Sequence, residues 1–464
     1  MSVKILLFVA IIMFTNSMLM AQNLTEKDEQ DSKIANLENS VRLLQKLKVS
    51  GLIQTQYQWA QVNADCINFK LTQRANAYEQ NEFKNGTLNS YGRFGIRRGR
   101  IKFTYEEGIA LGVVQLDLTE KGIGSDRNTV IFKDIYLQIK DPWNGTCNLK
   151  SGIFYRPFGF EVSYSSSRRE SPERARIIQS LFPDERDLGT MITLQPSKSS
   201  PLNIFKLEAG MFAGNGIKPQ FTTHMDFIGH LSVSKQIEDN VLISGGISAY
   251  LGGVMQTDSS IYVMKNKKFE LDSKSENNLG KFAKRQYIGF DIQFSTVTSA
   301  GFTQLRGEYI FGEHPGNSSG AYEFNFNGLP AYNPTPAAPV YMREIAGGYA
   351  MLVQDLGTTP FSAVLKYDWY NPNTEVSGND IAVKDSKTGK GDITMSDIGF
   401  GIYWRINQSL RLTAYYDIVR NETSENLKNT HKDPNNTKSQ IIEYGYECSD
   451  READVFTLRL QYKF

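Results

Sequence analysis

The chain has 464 residues and a formal net charge of only +1 at pH 7, so nothing in its overall charge points to nucleic acid or another polyanion as partner, and any electrostatic role must be local. Aromatic residues make up 12% of it and glycine occurs 38 times, a composition suited to strands, aromatic girdles and barrel corners. A mean hydropathy of -0.38 fits either two or three soluble domains or one large barrel with a polar lumen.

Lys4, an apolar run from Ile5 to Phe14, a polar break at Thr15 to Ser17 and the small Ala21 predict a secretory signal peptide over residues 1–21, cleaved after Ala21. The run is about half the length that a spanning helix needs, and no later segment is long and apolar enough to span as one. An exported chain of this kind can live in a membrane only as a closed barrel. Residues 22–46 follow as a periplasmic stub in which Ile34, Leu37, Val41 and Leu44 take the a and d positions of two heptads. Two heptads are marginal alone, so the stub is expected to self-associate on a larger oligomer or to pack on the barrel as an amphipathic linker.

From Leu47 the hydrophobic period changes to two. In LKVSGLIQTQYQW, Val49, Gly51, Ile53, Thr55, Tyr57 and Trp59 share one face, while Lys48, Ser50, Gln54, Gln56 and Gln58 share the other. Fifteen further segments read alike, near 93–106, 109–119, 129–141, 147–156, 188–197, 202–213, 225–235, 240–250, 285–297, 301–312, 342–353, 361–371, 393–404, 409–419 and 452–464. The connections alternate between short turns such as EEG, VTSAG and RINQS and long loops near 60–92, 156–187, 251–284, 312–341, 371–392 and 420–451. Short turns on one side and long loops on the other are the habit of outer-membrane barrels. The expectation is an all-β transmembrane antiparallel barrel of about sixteen strands over residues 47–464, with a short N-terminal coiled-coil helix. In the last strand Phe456, Leu458, Leu460, Tyr462 and Phe464 face lipid, and Thr457, Arg459, Gln461 and Lys463 face water.

The stretch FKDIYLQIK, then LKSGIFYRPFGFE, then SYSSSRRESPERARIIQSLFPDERDLG resembles the phosphate-selective porin O and P family. Lys133, Asp134, Gly152, Phe154, Arg156, Pro157, Phe158, Gly159, Glu161, Glu173, Arg174, Arg186, Asp187 and Gly189 sit at matching positions, and Asn215-Gly216 and KYDWYNPN at 366–373 are similar to family members too. The resemblance implies a homotrimeric porin in the lipid of a bacterial outer membrane, with the loop after the fifth strand folded into the lumen. It also implies passive uptake of small anions such as phosphate. The terminal Phe464 resembles the recognition signal by which such barrels are inserted.

An anion in a narrow pore loses hydration that fixed cations must replace. Face sorting turns Arg98, Arg100 and Lys102 of the second strand and Lys150 and Arg156 of the fifth inward, and the 156–187 loop adds Arg168, Arg169, Arg174 and Arg186. That loop carries six arginines against Glu161, Glu170, Glu173, Asp184, Glu185 and Asp187, so it is formally neutral. A neutral loop fits salt bridges to the wall, and two readings stay open: a basic constriction for anions, or a general diffusion porin with mixed charge and little anion selectivity. A surface anchor or adhesin is the third, although the outer loops show no repeat. No enzyme is expected: His224, His230, His314 and His431 are scattered and read mostly as loop or rim residues, and no hydrolase, metal or phosphate-loop motif occurs. No cofactor or metal is implied. Cys66 and Cys448 fall in loops beside the first and last strands and are a candidate seam disulfide, with Cys147 left single on the periplasmic side.

Overall fold

The structure is a computed structural model, and it describes residues 33, 37–38, 41, 45–60, 91–118, 130–143, 145–183, 185–217, 222–317, 338–430 and 454–464. The leader, Cys66, Cys448 and His431 lie outside the described residues.

Alternating sequence becomes strand wherever it was expected. β1 (Leu47–Ala60), β2 (Tyr91–Glu107), β3 (Ala110–Asp117), β4 (Ile131–Lys140) and β5 (Cys147–Tyr155) form the first third of the wall. It continues through β6 (Arg186–Leu194), β7 (Phe205–Phe212), β8 (Asp226–Glu238) and β9 (Val241–Met255). After a hairpin of β10 (Ser260–Lys265) and β11 (Lys268–Lys274) come β12 (Phe282–Thr298), β13 (Gly301–Gly316), β14 (Val340–Asp355) and β15 (Phe361–Asn371). β16 (Met395–Arg405), β17 (Leu410–Val419) and β18 (Val455–Lys463) complete it. Each wall strand pairs antiparallel with the next, β9 pairs with β12, and β18 returns to β1 with Leu52 opposite Lys463 and Ala60 opposite Val455. Sixteen strands thus close an all-β barrel without an edge, which satisfies every ladder hydrogen bond inside hydrocarbon. Among the described residues no helix is long and apolar enough to cross a membrane.

Closure depends on the last residue. Gly51 N–H donates to the Phe464 carbonyl at 2.8 Å, and Phe464 N–H donates back to Gly51 at 3.2 Å. The Phe464 ring lies over Gly51, where a Cβ would stand 2.2 Å from the ring. Along β18, Leu460 is 42% exposed while its neighbour Arg459 is 4% exposed, the signature of a lipid face backed by a lumen face.

The β10–β11 hairpin was not foreseen and lies inside the 251–284 loop. Asn266 and Lys267 both take positive φ, 49° and 66°, as a two-residue type I′ turn requires. The hairpin pairs parallel with the start of β14, Ile261 opposite Val340 and Tyr262 opposite Tyr341. Phe269, Tyr341, Val376, Ile381, Ile393 and Leu427 form a small apolar core there, drawing in the 372–394 loop and the short helix α2 (Glu425–Thr430) at the long-loop end. The principal apolar core sits inside the barrel, between the wall and the 156–185 loop.

Candidate functional site

The lumen is shaped by the loop between β5 and β6. It leaves the wall at Arg156-Pro157-Phe158-Gly159, where Gly159 takes φ +57° and a Cβ would fall 2.2 Å from Glu308 Oε2. Only glycine turns the chain inward in that space. Gly159 N–H donates to Ser248 Oγ at 2.8 Å, and Phe158 is fully buried with its ring 4.8 Å from that of Phe182. The loop returns through α1 (Arg176–Leu181), whose Ile177, Ile178 and Leu181 are buried and which packs on β14 and β15. Val162, Phe158, Phe182 and these three side chains meet Tyr250, Tyr287, Ile345 and Tyr370 of the wall. At about 1.5–3 kcal/mol for each large apolar side chain buried, this anchor alone holds the loop inside.

The segment between the two halves of the anchor, 163–173, crosses to the wall around the seam. There the wall offers donors and the loop acceptors. Gln54 Nε2 donates to the Ser166 carbonyl at 3.3 Å, Gln461 Nε2 to Ser167 at 2.9 Å, Arg411 Nη2 to Arg169 at 2.7 Å and Arg459 Nη1 to Pro172 at 2.7 Å. Glu173 is the centre of this contact. Its two oxygens accept Arg97 Nε and Nη2 at 2.8 Å each, and Arg98 Nη2 at 3.4 Å and Arg459 Nη2 at 3.0 Å complete a three-guanidinium clasp. Burial alone would push this carboxyl up, but Arg97, Arg98 and Arg459 outweigh it and hold Glu173 well below the usual carboxylate range.

Arg97 takes part because of a bulge. The β1–β2 register steps from Gln54 opposite Arg98 to Thr55 opposite Ile96, so Arg97 is the extra residue. Strict alternation would send it to lipid; the bulge lets its guanidinium reach the loop. A second bulge, at Lys133 of β4 opposite Gln115 and Leu116 of β3, does the same, so both Lys133 and Asp134 are buried on the lumen side.

The nine residues expected to line the pore are all on the lumen side or in its loop, but their surroundings differ. Arg98 is bonded to Gln54 and Glu173, and Arg100 pairs with Asp117 at 2.7 Å and donates to Ser166 Oγ at 3.0 Å. Arg156 meets Asp187 at 3.3 Å, Arg174 pairs with Glu185, and Arg186 pairs with Asp134 and Glu185 at 2.8 Å each while lying 3.8 Å from the Tyr155 ring centre. Glu185, with φ +62°, is held well below the carboxylate range by Arg174 and Arg186 against the upward push of burial. Lys150 stands over the rings of Tyr136 and Phe154, Lys102 is half-buried nearer the short turns, and Arg168 is exposed. Arg169 is 2% exposed, and none of its guanidinium nitrogens has a hydrogen-bond partner among the described residues. Burial, with Arg174 nearby, lowers it to about 10, so it stays charged at neutral pH.

Arg97, Arg306 and Arg411 were not singled out, and Arg459, although sorted onto the wet face of the last strand, was not counted among the pore-lining cations. Arg306 pairs with Glu170 and covers the Phe160 and Tyr164 rings, tying the loop to β13. Arg459 was readable on the wet face of the last strand, and its reach to the clasp follows from the seam with β1, where it donates to Gln56 at 2.9 Å. Two histidines also stand elsewhere than a loop or rim. His230 on β8 meets Asp291 at 2.9 Å and His314 on β13 is bonded to Tyr287, both buried because their side of the strand faces the lumen. On β15 and β16 the wall is acidic: Asp368 accepts the Arg176 N–H at 3.1 Å and Lys366 at 2.6 Å, with Asp397 beside them. Among the described residues no cluster of His, Cys, Asp or Glu is placed to hold a metal, and Cys147 is free and exposed.

A closed sixteen-stranded barrel with an apolar outer face, a polar inner face and a loop folded into its lumen defines a membrane porin. The family model described as phosphate-selective porin O and P matches residues 69–464, and the chain belongs to that family. It is an outer-membrane channel protein and not an enzyme. No curated protein matches it. Among solved structures it is similar to OmpF of Salmonella typhi in complex with daunomycin, at 10% identity over 90% of this chain and 97% of that one with a TM-score of 0.51. It is also similar to the outer-membrane channel DcaP of Acinetobacter baumannii, at 9% identity over 90% and 97% of the two chains and a TM-score of 0.48. OmpT of Vibrio cholerae in its trimer form covers 90% and 99% at 10% identity and a TM-score of 0.47. At such identities the likeness concerns the fold.

Proposed function

We propose that this porin passes small anions, phosphate among them, through a constriction that is locally basic although the whole loop is neutral. One observation carries the reading: around the carboxylate of Glu173 stand Arg97, Arg98 and Arg459, with Arg169, whose guanidinium nitrogens have no hydrogen-bond partner among the described residues, nearby. Four cations to one anion leave an excess that a permeating anion can use where water is scarce. At an effective dielectric near 20, a charge pair at about 4 Å is worth about 4 kcal/mol. The family's description as phosphate-selective supports phosphate as the anion. A second reading, a mixed-charge general diffusion pore, is favoured by the pairing of Arg100, Arg156, Arg174 and Arg186 with carboxylates and by the acidic wall at Asp368 and Asp397.

The remaining parts of the proposal are a leader over residues 1–21, a self-associating stub over 22–46 and a homotrimer. Leu37 and Val41, two of the four heptad positions, have helical backbone and are exposed, as self-associating positions of a single chain would be. The test is the reversal potential of the purified porin in planar bilayers under a potassium chloride gradient. Anion preference is expected, with chloride current saturably reduced by low phosphate; cation preference would overturn the reading, and anion preference without any effect of phosphate would leave only the general anion channel.

A further inference from the structure

The loop is held in two physically different ways. Its roots, 157–162 and 175–182, are fixed by apolar burial against β7 to β16. Its tip, 163–173, is fixed by hydrogen bonds and charge: backbone carbonyls of Ser166, Ser167, Arg168, Arg169 and Pro172 accept from the wall around the seam, Glu170 meets Arg306, and Glu173 sits in its clasp. The bonds from Gln54 and Gln461 are neutral and exchange readily for bonds to water, whereas those from Arg411 and Arg459 are charge-assisted and stronger. The Glu173 contact is of another order, because one carboxylate takes four N–H donors from three guanidiniums, two of them on β2 and one on β18. β1 lies between those strands, so the clasp bridges the barrel seam as well as the lumen. The wall is also shaped for it, since the β2 bulge brings Arg97 beside Arg98.

We infer that Glu173 is the residue that sets the pore's size limit, by acting as a tethered anion that pins the loop tip across the lumen to Arg97, Arg98 and Arg459. With the clasp intact, solutes pass beside a tip drawn against the seam wall. With it broken, the roots stay anchored and Glu170 stays on Arg306, but the tip is no longer fixed at its 173 end, and the passage widens for solutes of any charge. The inference concerns width and does not depend on which ions the channel prefers.

Two substitutions break the clasp from opposite sides. Glu173→Gln removes a negative charge from the lumen, and the double variant Arg97→Gln/Arg459→Gln removes two positive ones, so any simple electrostatic effect has opposite sign in the two. The measurement is swelling of liposomes carrying each assembled porin in a series of neutral sugars from pentoses to trisaccharides, with heat-modifiable mobility as the check of barrel assembly. Both variants are expected to admit larger sugars than the wild type, by severalfold in rate for the disaccharides. Unchanged sugar rates in either assembled variant would overturn the inference, even if its reversal potential shifts. That shift would instead report the charge of the constriction, so the size limit and the anion preference stand or fall separately.

Discussion

At the residue scale, the lumen contains cations in two states, and the difference decides what a substitution does. Arg100 is buried against Asp117, and Arg100→Gln removes the guanidinium from that buried pair. Breaking a buried pair from one side costs about 3–5 kcal/mol, so this variant should unfold at markedly lower urea in detergent micelles. Arg169 has no such partner, and Arg169→Gln relieves a buried charge. Its urea midpoint should be equal or higher while the reversal potential moves toward cations; a destabilised Arg169→Gln would mean that the guanidinium is paired. Acid acts on the clasp in a direction that its electrostatics fix. The folded value of Glu173 is depressed, so its stabilising contribution is complete above the unfolded carboxylate value of about 4.3 and fades as pH falls from there through the lower folded value. The groups facing it, Arg97, Arg98 and Arg459, remain charged across that range. Sugar exclusion should therefore be constant from pH 8 to about 5 and relax only in stronger acid. Relaxation already near pH 7 would assign the loop's attachment to another group.

At the element scale, the strands were legible because lipid and lumen enforce strict alternation: Gln54, Gln56 and Gln58 are buried on the lumen side of β1 while Ile53 is exposed, and a one-residue slip would reverse all of them. The loop's entry was legible too, in Pro157-Phe158-Gly159. Less legible were the places where alternation is broken on purpose. Arg97 and Lys133 reach the lumen through bulges, and no local pattern marks an extra residue before its partner strand is known. Arg459 and Glu173 are far apart in sequence and meet only because the barrel closes. The β10–β11 hairpin was hidden for a different reason: it packs on Tyr341 and loop residues and has no lipid face to impose a pattern. The closure itself can be probed at Gly51, which has room for no side chain under the Phe464 ring. Gly51→Val should displace that ring and slow barrel assembly, measured as the fraction reaching the heat-modifiable form over time, and Gly51→Val combined with Phe464→Ala should recover part of the rate. If the single variant assembles as fast as wild type, the ring contact contributes nothing to closure.

At the scale of the whole molecule, the barrel and the stub answer to different forces. Every pairing that closes the wall lies within residues 47–464, and each barrel contains its own constriction, so neither folding nor permeation requires residues 22–46. Two heptads do not associate alone, because helices this short fail to repay nucleation. In the proposed trimer, where barrels touch in the membrane plane, the stubs would meet at high effective concentration, and a marginal contact becomes a useful one. Exposed Leu37 and Val41 are the side chains such a contact would cover. Deleting residues 22–46 should therefore leave each barrel's assembly and reversal potential unchanged, while chemical cross-linking shows less trimer and bilayer recordings show single conductance steps in place of triplets. Replacing Leu37 and Val41 by Lys should do the same without shortening the chain. If cross-linked trimer persists undiminished in both variants, the barrel walls carry the assembly, and the stub serves as a linker packed against the periplasmic rim.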